Sequence, residues 1–168
     1  MPELLIRMKK KPGGESVLSC VRPDGSATWQ RNEGRSGRFF PFHDLTHYAV
    51  ETVLGHSRGF YGLVAEGWDL DDFGSPWPRG PLPADMDPSE AIVGLLDAER
   101  AQGVEIGAHT LRDSYSDSDG NVPSGLITLT DDDLDKVRVR RAELFELWKA
   151  LPEGETLELA FDCSSGGR

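Results

Sequence analysis

The chain predicts an α+β fold, with an antiparallel sheet of about four strands packed on one face by three to four helices. Three observations carry this expectation. Apolar residues alternate over short stretches near both ends of the chain. Between them apolar residues recur with helical spacing, and Pro- and Gly-rich turn signals separate the segments. A length of 168 residues fits one domain over 1–168 with a sizeable core, and no internal repeat or linker divides it.

Leu4, Ile6 and Met8 alternate with Leu5, Arg7 and Lys9, as in a half-buried strand. Pro12-Gly13-Gly14 supplies a turn before a second strand over 16–22, where Leu18 and Cys20 oppose Val17 and Val21. Pro23-Asp24-Gly25-Ser26 is a strong turn signal, because Pro presets φ and Gly accepts positive φ. A short third strand over 27–31 carries Trp29, and the Gly- and charge-rich 32–38 reads as a loop. Phe39-Phe40-Pro41-Phe42 leads into a helix over 42–54, with Leu45, Tyr48, Ala49, Thr52 and Val53 toward the core and Gly55 as its stop.

Ser57 suits the N-cap of a second helical stretch to 66, and 68–84 reads as a long loop. Asp87-Pro88-Ser89-Glu90 has a capping-box pattern with Pro at the first helical position. It should open a helix with Ile92, Leu95 and Leu96 inward and an end near Gly103. The stretch 104–125 reads as a surface loop, and Leu126-Ile127-Thr128-Leu129 as a short strand. Thr130 caps the longest helix, to about Leu151, with Asp131, Asp132 and Asp133 at its positive end. Leu157, Leu159 and Phe161 alternate in a closing strand.

Composition narrows the function. Hydrophobic residues at 38% and charged residues at 28% are ordinary for a globular domain. A net charge of −11 disfavours nucleic acid and anionic lipid, and stays compatible with a cationic ligand, a metal ion or a basic partner protein. No apolar run approaches the roughly 18 residues of a membrane span. Met1-Pro2-Glu3-Leu4-Leu5 does not resemble a secretory leader, so the expected compartment is the cytoplasm. Cys20 and Cys163 form no CxxC pair, and reduced, buried thiols in strands are expected.

Phe42-His43-Asp44-Leu45-Thr46-His47-Tyr48 is the stretch that carries chemistry. Imidazoles at i and i+4 share a helix face and can meet one metal ion. Glu51 follows one turn later, within reach of His47 but about 12 Å along the axis from His43. Two histidines hold a metal weakly, so a third protein ligand is required, and Glu66 on the next helix is a candidate. Asp44 suits a ligand, a base acting on bound water, or a group that orients an imidazole. The competing reading is structural: Asp44 caps the helix, and the histidines hydrogen-bond in a buried interface.

The blocks HDLTHYAVETVLG and GFYGLVAEGW resemble an uncharacterised family of bacterial proteins, a likeness that implies no activity. HDLTH is also similar to the HDxxH zinc motif of the ubiquinone-biosynthesis scaffold family, in which a Glu follows on the next helix. That likeness implies His43, Asp44 and His47 at a zinc site, with Glu66 as the later acid. The spacing departs from that motif, with 18 residues between His47 and Glu66. HDLTH also resembles the HExxH helix of zinc peptidases with Asp for Glu, but no downstream ligand has the usual context.

Other clusters read as structural. His56 and His109 lie off the pair's stripe, and Asp69, Asp71 and Asp72 form an acidic loop able to line the mouth of a His pocket. Asp113 to Asn121 misplaces the Gly of a calcium loop and lacks its closing Glu. Lys136, Arg138, Arg140 and Arg141 suit ion pairs on a solvated helix face. The sequence therefore predicts a metal-binding protein with zinc as the expected ion, and a metal-dependent hydrolase-type enzyme is the chemistry such a centre supports. His43, His47, Glu51 and Glu66 are the candidate ligands and Asp44 the candidate catalytic residue. The alternative is a non-catalytic acidic protein-interaction domain with loop aromatics at its interface. The sequence names neither substrate nor partner.

Overall fold

The alternating segments form the expected sheet. The computed structural model describes residues 2–164. Strands β1 (Glu3–Lys10), β2 (Ser16–Val21), β3 (Ala27–Asn32) and β4 (Thr156–Asp162) pair antiparallel in the order β3-β2-β1-β4. In β1, Ile6 faces Cys20 on one side and Leu159 on the other, and Met8 faces Leu18 and Leu157. Leu4, Ile6, Met8, Leu18, Cys20 and Phe161 form a buried inner face. Burial of such side chains contributes roughly 2 kcal/mol each. A one-residue slip would turn Arg7 inward, so this face fixes the register.

The central helix, α1 (Gly34–Leu54), contacts the inner sheet and three other helices. It begins at Gly34, not at Phe42, and runs through Pro41. Packing overrides local propensity here. A Cβ on Gly37 would lie 2.6 Å from the Gly14 carbonyl oxygen and 2.7 Å from that of Asn32, so only Gly lets this first turn seat on the backbone beside it. Asp44 consequently lies well inside the helix and does not cap it. The C-terminal stop at Gly55 is as expected, in the left-handed conformation with φ 69°.

Helix α2 (Phe60–Glu66) starts after Gly59 and not at Ser57. Its first turn is served from outside: the Glu51 carboxylate accepts a hydrogen bond from the Tyr61 N–H at 2.8 Å. At its other end Arg22 donates to the Val64 and Trp68 carbonyls at 2.6 and 2.7 Å. The predicted loop after α2 contains a 3₁₀ turn over Leu70–Phe73, closed by reciprocal Asp69 and Asp72 bonds.

Helix α3 (Ser89–Gln102) buries Ile92, Val93, Leu95 and Leu96 and stops at Gly103. Its predicted capping box does not form. Asp87 accepts instead from the Arg58 N–H at 2.8 Å, which frees Glu90 for other contacts. The stretch expected to be a loop holds α4 (Ala108–Ser114), anchored by buried Ala108 and Leu111. The short strand expected over 126–129 is absent, and Leu126 and Ile127 end a helical turn instead, α5 (Ser124–Ile127), with Leu126 buried and Ile127 exposed. One buried residue in four follows a helical turn better than strand alternation. Helix α6 (Asp131–Ala150) has the expected Thr130 cap, reinforced by Asp133.

Cys20 is buried in β2 and Cys163 half-buried just past β4; both are free, and β1 separates their strands. Burial, with the nearby Asp44 charge, pushes the Cys20 thiol up to about 12. Among the described residues no helix is long and apolar enough to cross a membrane.

Two glycines give opposite expectations. A Cβ on Gly62 would collide with the Ser57 carbonyl, whereas one on Gly94 in α3 meets nothing within 4 Å. In urea denaturation Gly62→Ala should lose more than about 2 kcal/mol. Gly94→Ala should gain roughly 0.5–1 kcal/mol from helix propensity.

Candidate metal centre

Interior positions of α1 carry half-buried His43 and buried His47 one turn apart, with ring centroids 4.8 Å apart and planes at 77°. Helix α3 packs antiparallel to them, so rising residue numbers on α1 meet falling numbers on α3. His43 Nδ1 is 2.7 Å from Asp97 Oδ2, and His47 Nδ1 is 3.0 Å from Glu51 Oε2. Each carboxylate accepts the Nδ1 proton, fixes the tautomer and leaves Nε2 as the available donor atom. His47 Nε2 lies 2.9 Å from Glu90 Oε2.

His43, His47 and Glu90 form a group that can hold a metal ion, their donor atoms lying within 4.8 Å of one another. A tetrahedral zinc ion places its donors about 3.4 Å apart. The His47–Glu90 gap of 2.9 Å is already below that, and no pair of donors needs to close by more than about 1.4 Å. Glu90 is the member free to move, since 67% of its side chain is exposed while His47 keeps only 4%.

The structure brings together the predicted His43 and His47 but leaves two predicted partners outside the group of three. Glu51 is buried behind His47, bonded to its Nδ1 and to the Tyr61 N–H. Glu66 lies toward solvent, paired with Arg58 at 3.1 Å. Asp44 is buried and lines the same cavity as the group. Among the described residues no side-chain hydrogen bond engages its carboxylate. The acids after α2 do not line this cavity: Asp69 pairs with Arg22 and Asp72 with Arg79. His56 bonds Ser89 at 2.8 Å, and His109 is exposed beside Asp113.

Glu90 and Asp97 are the residues that sequence reasoning missed. Their signal was present. They stand seven residues apart, two turns on one stripe of α3, and bracket the shorter i,i+4 pair on the antiparallel neighbour. Glu90 already had an apparent task in the capping box, which concealed it.

Glycine makes the arrangement possible. A Cβ on Gly59 would lie 2.6 Å from Glu51 Cδ and collide with Ser89 Oγ, so only a residue without a side chain lets Glu51 reach both α2 and His47.

The electrostatics are unusual. Burial works to lower the His47 value, but its bonds to Glu51 and Glu90 outweigh this and hold it up at about 10. The bond from His47 holds Glu90 below the usual carboxylate range. Burial pushes Asp44 up to about 7, against the pull of His43 and His47. The site without metal thus retains a positive charge on His47, between two acids, at neutral pH.

No protein-family model, curated protein or solved structure matches the chain. The chemistry of the site alone therefore carries the functional reading.

Asp44 gives a test by pH. Its folded value stands above its unfolded one, so its protonated form favours the fold, and that contribution is lost as pH rises from about 4 through about 7. Asp44→Asn should match the parent in melting temperature near pH 4 and exceed it by several degrees at pH 8.

Proposed function

We propose that the protein binds one divalent metal ion through His43, His47 and Glu90, and that this centre serves a metal-dependent hydrolase-type reaction. One observation carries the reading: two imidazoles on one helix each have Nδ1 held by a separate carboxylate, which leaves two Nε2 atoms to converge with a third acid. Metal-ligating histidines characteristically have that outer partner, and buried structural pairs have no need of two. Two imidazoles and one carboxylate suit zinc, and three protein ligands beside an open cavity match a catalytic rather than a closed structural centre. An ion there would supply Lewis acidity to a water or a polar ligand group. Asp44, on the wall of the same cavity and without a side-chain partner, is suited to accept and return a proton.

A second reading has one observation in its favour. His47, held positive between Glu51 and Glu90, can itself fill the place of a cation. The helices are then clasped by an imidazolium in a non-catalytic interaction domain, with exposed Phe39 and Trp77 available to a partner.

Zinc calorimetry on metal-stripped full-length protein separates the two. The metal reading expects one ion per chain, a loss of about 100-fold or more in affinity for His43→Ala, His47→Ala and Glu90→Ala, and roughly 10–100-fold for Glu51→Gln through the outer shell. Glu66→Gln should change nothing. Because the metal displaces the His47 proton, uptake at pH 7.5 should release about one proton, seen as a dependence of the heat on the buffer. Absence of uptake, with a melting temperature that falls toward pH 10 only when His47 is present, supports the clasp instead.

A further inference from the structure

The cavity in front of the three donors has a composition of its own. Its volume is about 410 Å³, within the roughly 300–1,000 Å³ range of small-molecule sites. Phe40, Phe60, Phe73, Trp77, Leu82 and Met86 supply most of its wall. The polar groups are confined to Gln30, Asp44, Glu90 and the two imidazoles. Among the described lining residues there is no Lys or Arg. A divalent ion would already be met by Glu90, with Asp44 beside it, and no second cationic group on the wall would help neutralise a phosphate or carboxylate. The overall charge of −11 repels such groups as well.

A second feature points to a ligand. Trp77 holds a left-handed backbone, φ 57°, which is uncommon for a residue other than Gly. Hydrogen bonds from its N–H to the Gly74 carbonyl at 2.7 Å, and to its carbonyl from the Gly80 N–H at 2.9 Å, fix this conformation. The indole stands at the cavity rim, 45% exposed. Trp77 and Leu82 also line an adjoining apolar recess with Gly80 and Pro81, so the apolar surface continues beyond the cavity. A costly backbone conformation that presents an aromatic ring at a rim is a feature of ligand sites.

We infer that this cavity receives an uncharged, largely apolar small molecule, with an aromatic or branched body against Phe60, Phe73, Trp77 and Leu82 and one neutral polar group directed at the metal centre. The inference rests on the proposed metal site and adds the class of molecule that site handles. Gln30 is the one amide side chain among the described lining residues, and with the Trp77 indole N–H it offers hydrogen bonds to a carbonyl or hydroxyl of that molecule. Nucleotides, phosphoesters and other anions are disfavoured, because Asp44 and Glu90 flank the metal site and no described Lys or Arg on the wall assists the ion.

Cobalt-loaded full-length protein tests this, because the visible spectrum of Co²⁺ reports both uptake and a change in its ligands. The probes are acetohydroxamic acid, benzohydroxamic acid and phenylphosphonate at pH 7. Benzohydroxamic acid should bind at least about tenfold more tightly than acetohydroxamic acid, because its ring buries additional apolar area. Phenylphosphonate, with the same ring and a charged head, should bind more weakly than benzohydroxamic acid. Trp77→Ala and Leu82→Ala should each shrink the preference for the ring, with cobalt and acetohydroxamic acid affinities unchanged. Equal affinity for the two hydroxamic acids, or tighter binding of the phosphonate, in protein that takes up cobalt overturns the ligand class and leaves the metal site standing. No cobalt spectrum at all overturns the metal reading, and this inference with it.

Discussion

The Glu51 carboxylate is the group on which the arrangement turns. It is almost fully buried, and a buried charge is tolerated only when its oxygens are met. One oxygen takes the Tyr61 N–H at the start of α2, and the other takes Nδ1 of His47. A single side chain thus sets where the second helix begins and how the imidazole is turned. Removal of one partner from such a pair costs about 3–5 kcal/mol, more than most single contacts in a domain of this size. Gly59 and Gly62 exist in this scheme as space. The first admits Glu51, and the second admits the Ser57 carbonyl.

From that anchor the site assembles as two opposed rows. Helix α1 presents the imidazoles, and α3 returns antiparallel with Asp97 behind one and Glu90 in front of the other. The inner row is rigid, because Asp97, Glu51 and both rings are largely enclosed. The outer member, Glu90, is not. A centre built this way has preset ring orientations and one adjustable ligand, so an approaching ion needs to reorganise one side chain rather than three. The largely apolar wall around it lowers the local dielectric, which strengthens each electrostatic contact inside.

Much of this was legible in the sequence. Alternation located the first and last strands, because a sheet with one buried face writes its pattern into every second residue, and turn signals bounded the two between. The long last helix, with its Thr130 cap and acidic first turn, was equally plain. Failures came where tertiary contact outweighed local preference. Gly34, Gly37 and Pro41 disfavour a helix on their own, yet Gly37 gains a backbone seat that no propensity scale contains. Ser57 and the Asp87–Glu90 box had proper capping chemistry, but a carboxylate from another helix served one start, and Arg58 drew off Asp87 at the other. For the site, the His pair was visible because both members share one helix. Glu90 and Asp97 were not, since the packing of α1 on α3 is a long-range fact, and Glu66 faces Arg58 because its position on the short α2 turns it outward.

The two thiols divide the molecule into an inert and an addressable sulfur. Cys20 sits on the inner sheet face near Asp44 of the central helix, with its ionisation suppressed by its surroundings, and thiol reagents react with the ionised form. Cys163 follows β4 and keeps partial access to solvent. A maleimide or disulfide dye should therefore mark Cys163 in the native protein and spare the interior. The moment at which Cys20 begins to react reports the opening of the sheet itself, so the chain carries a built-in gauge of its own unfolding.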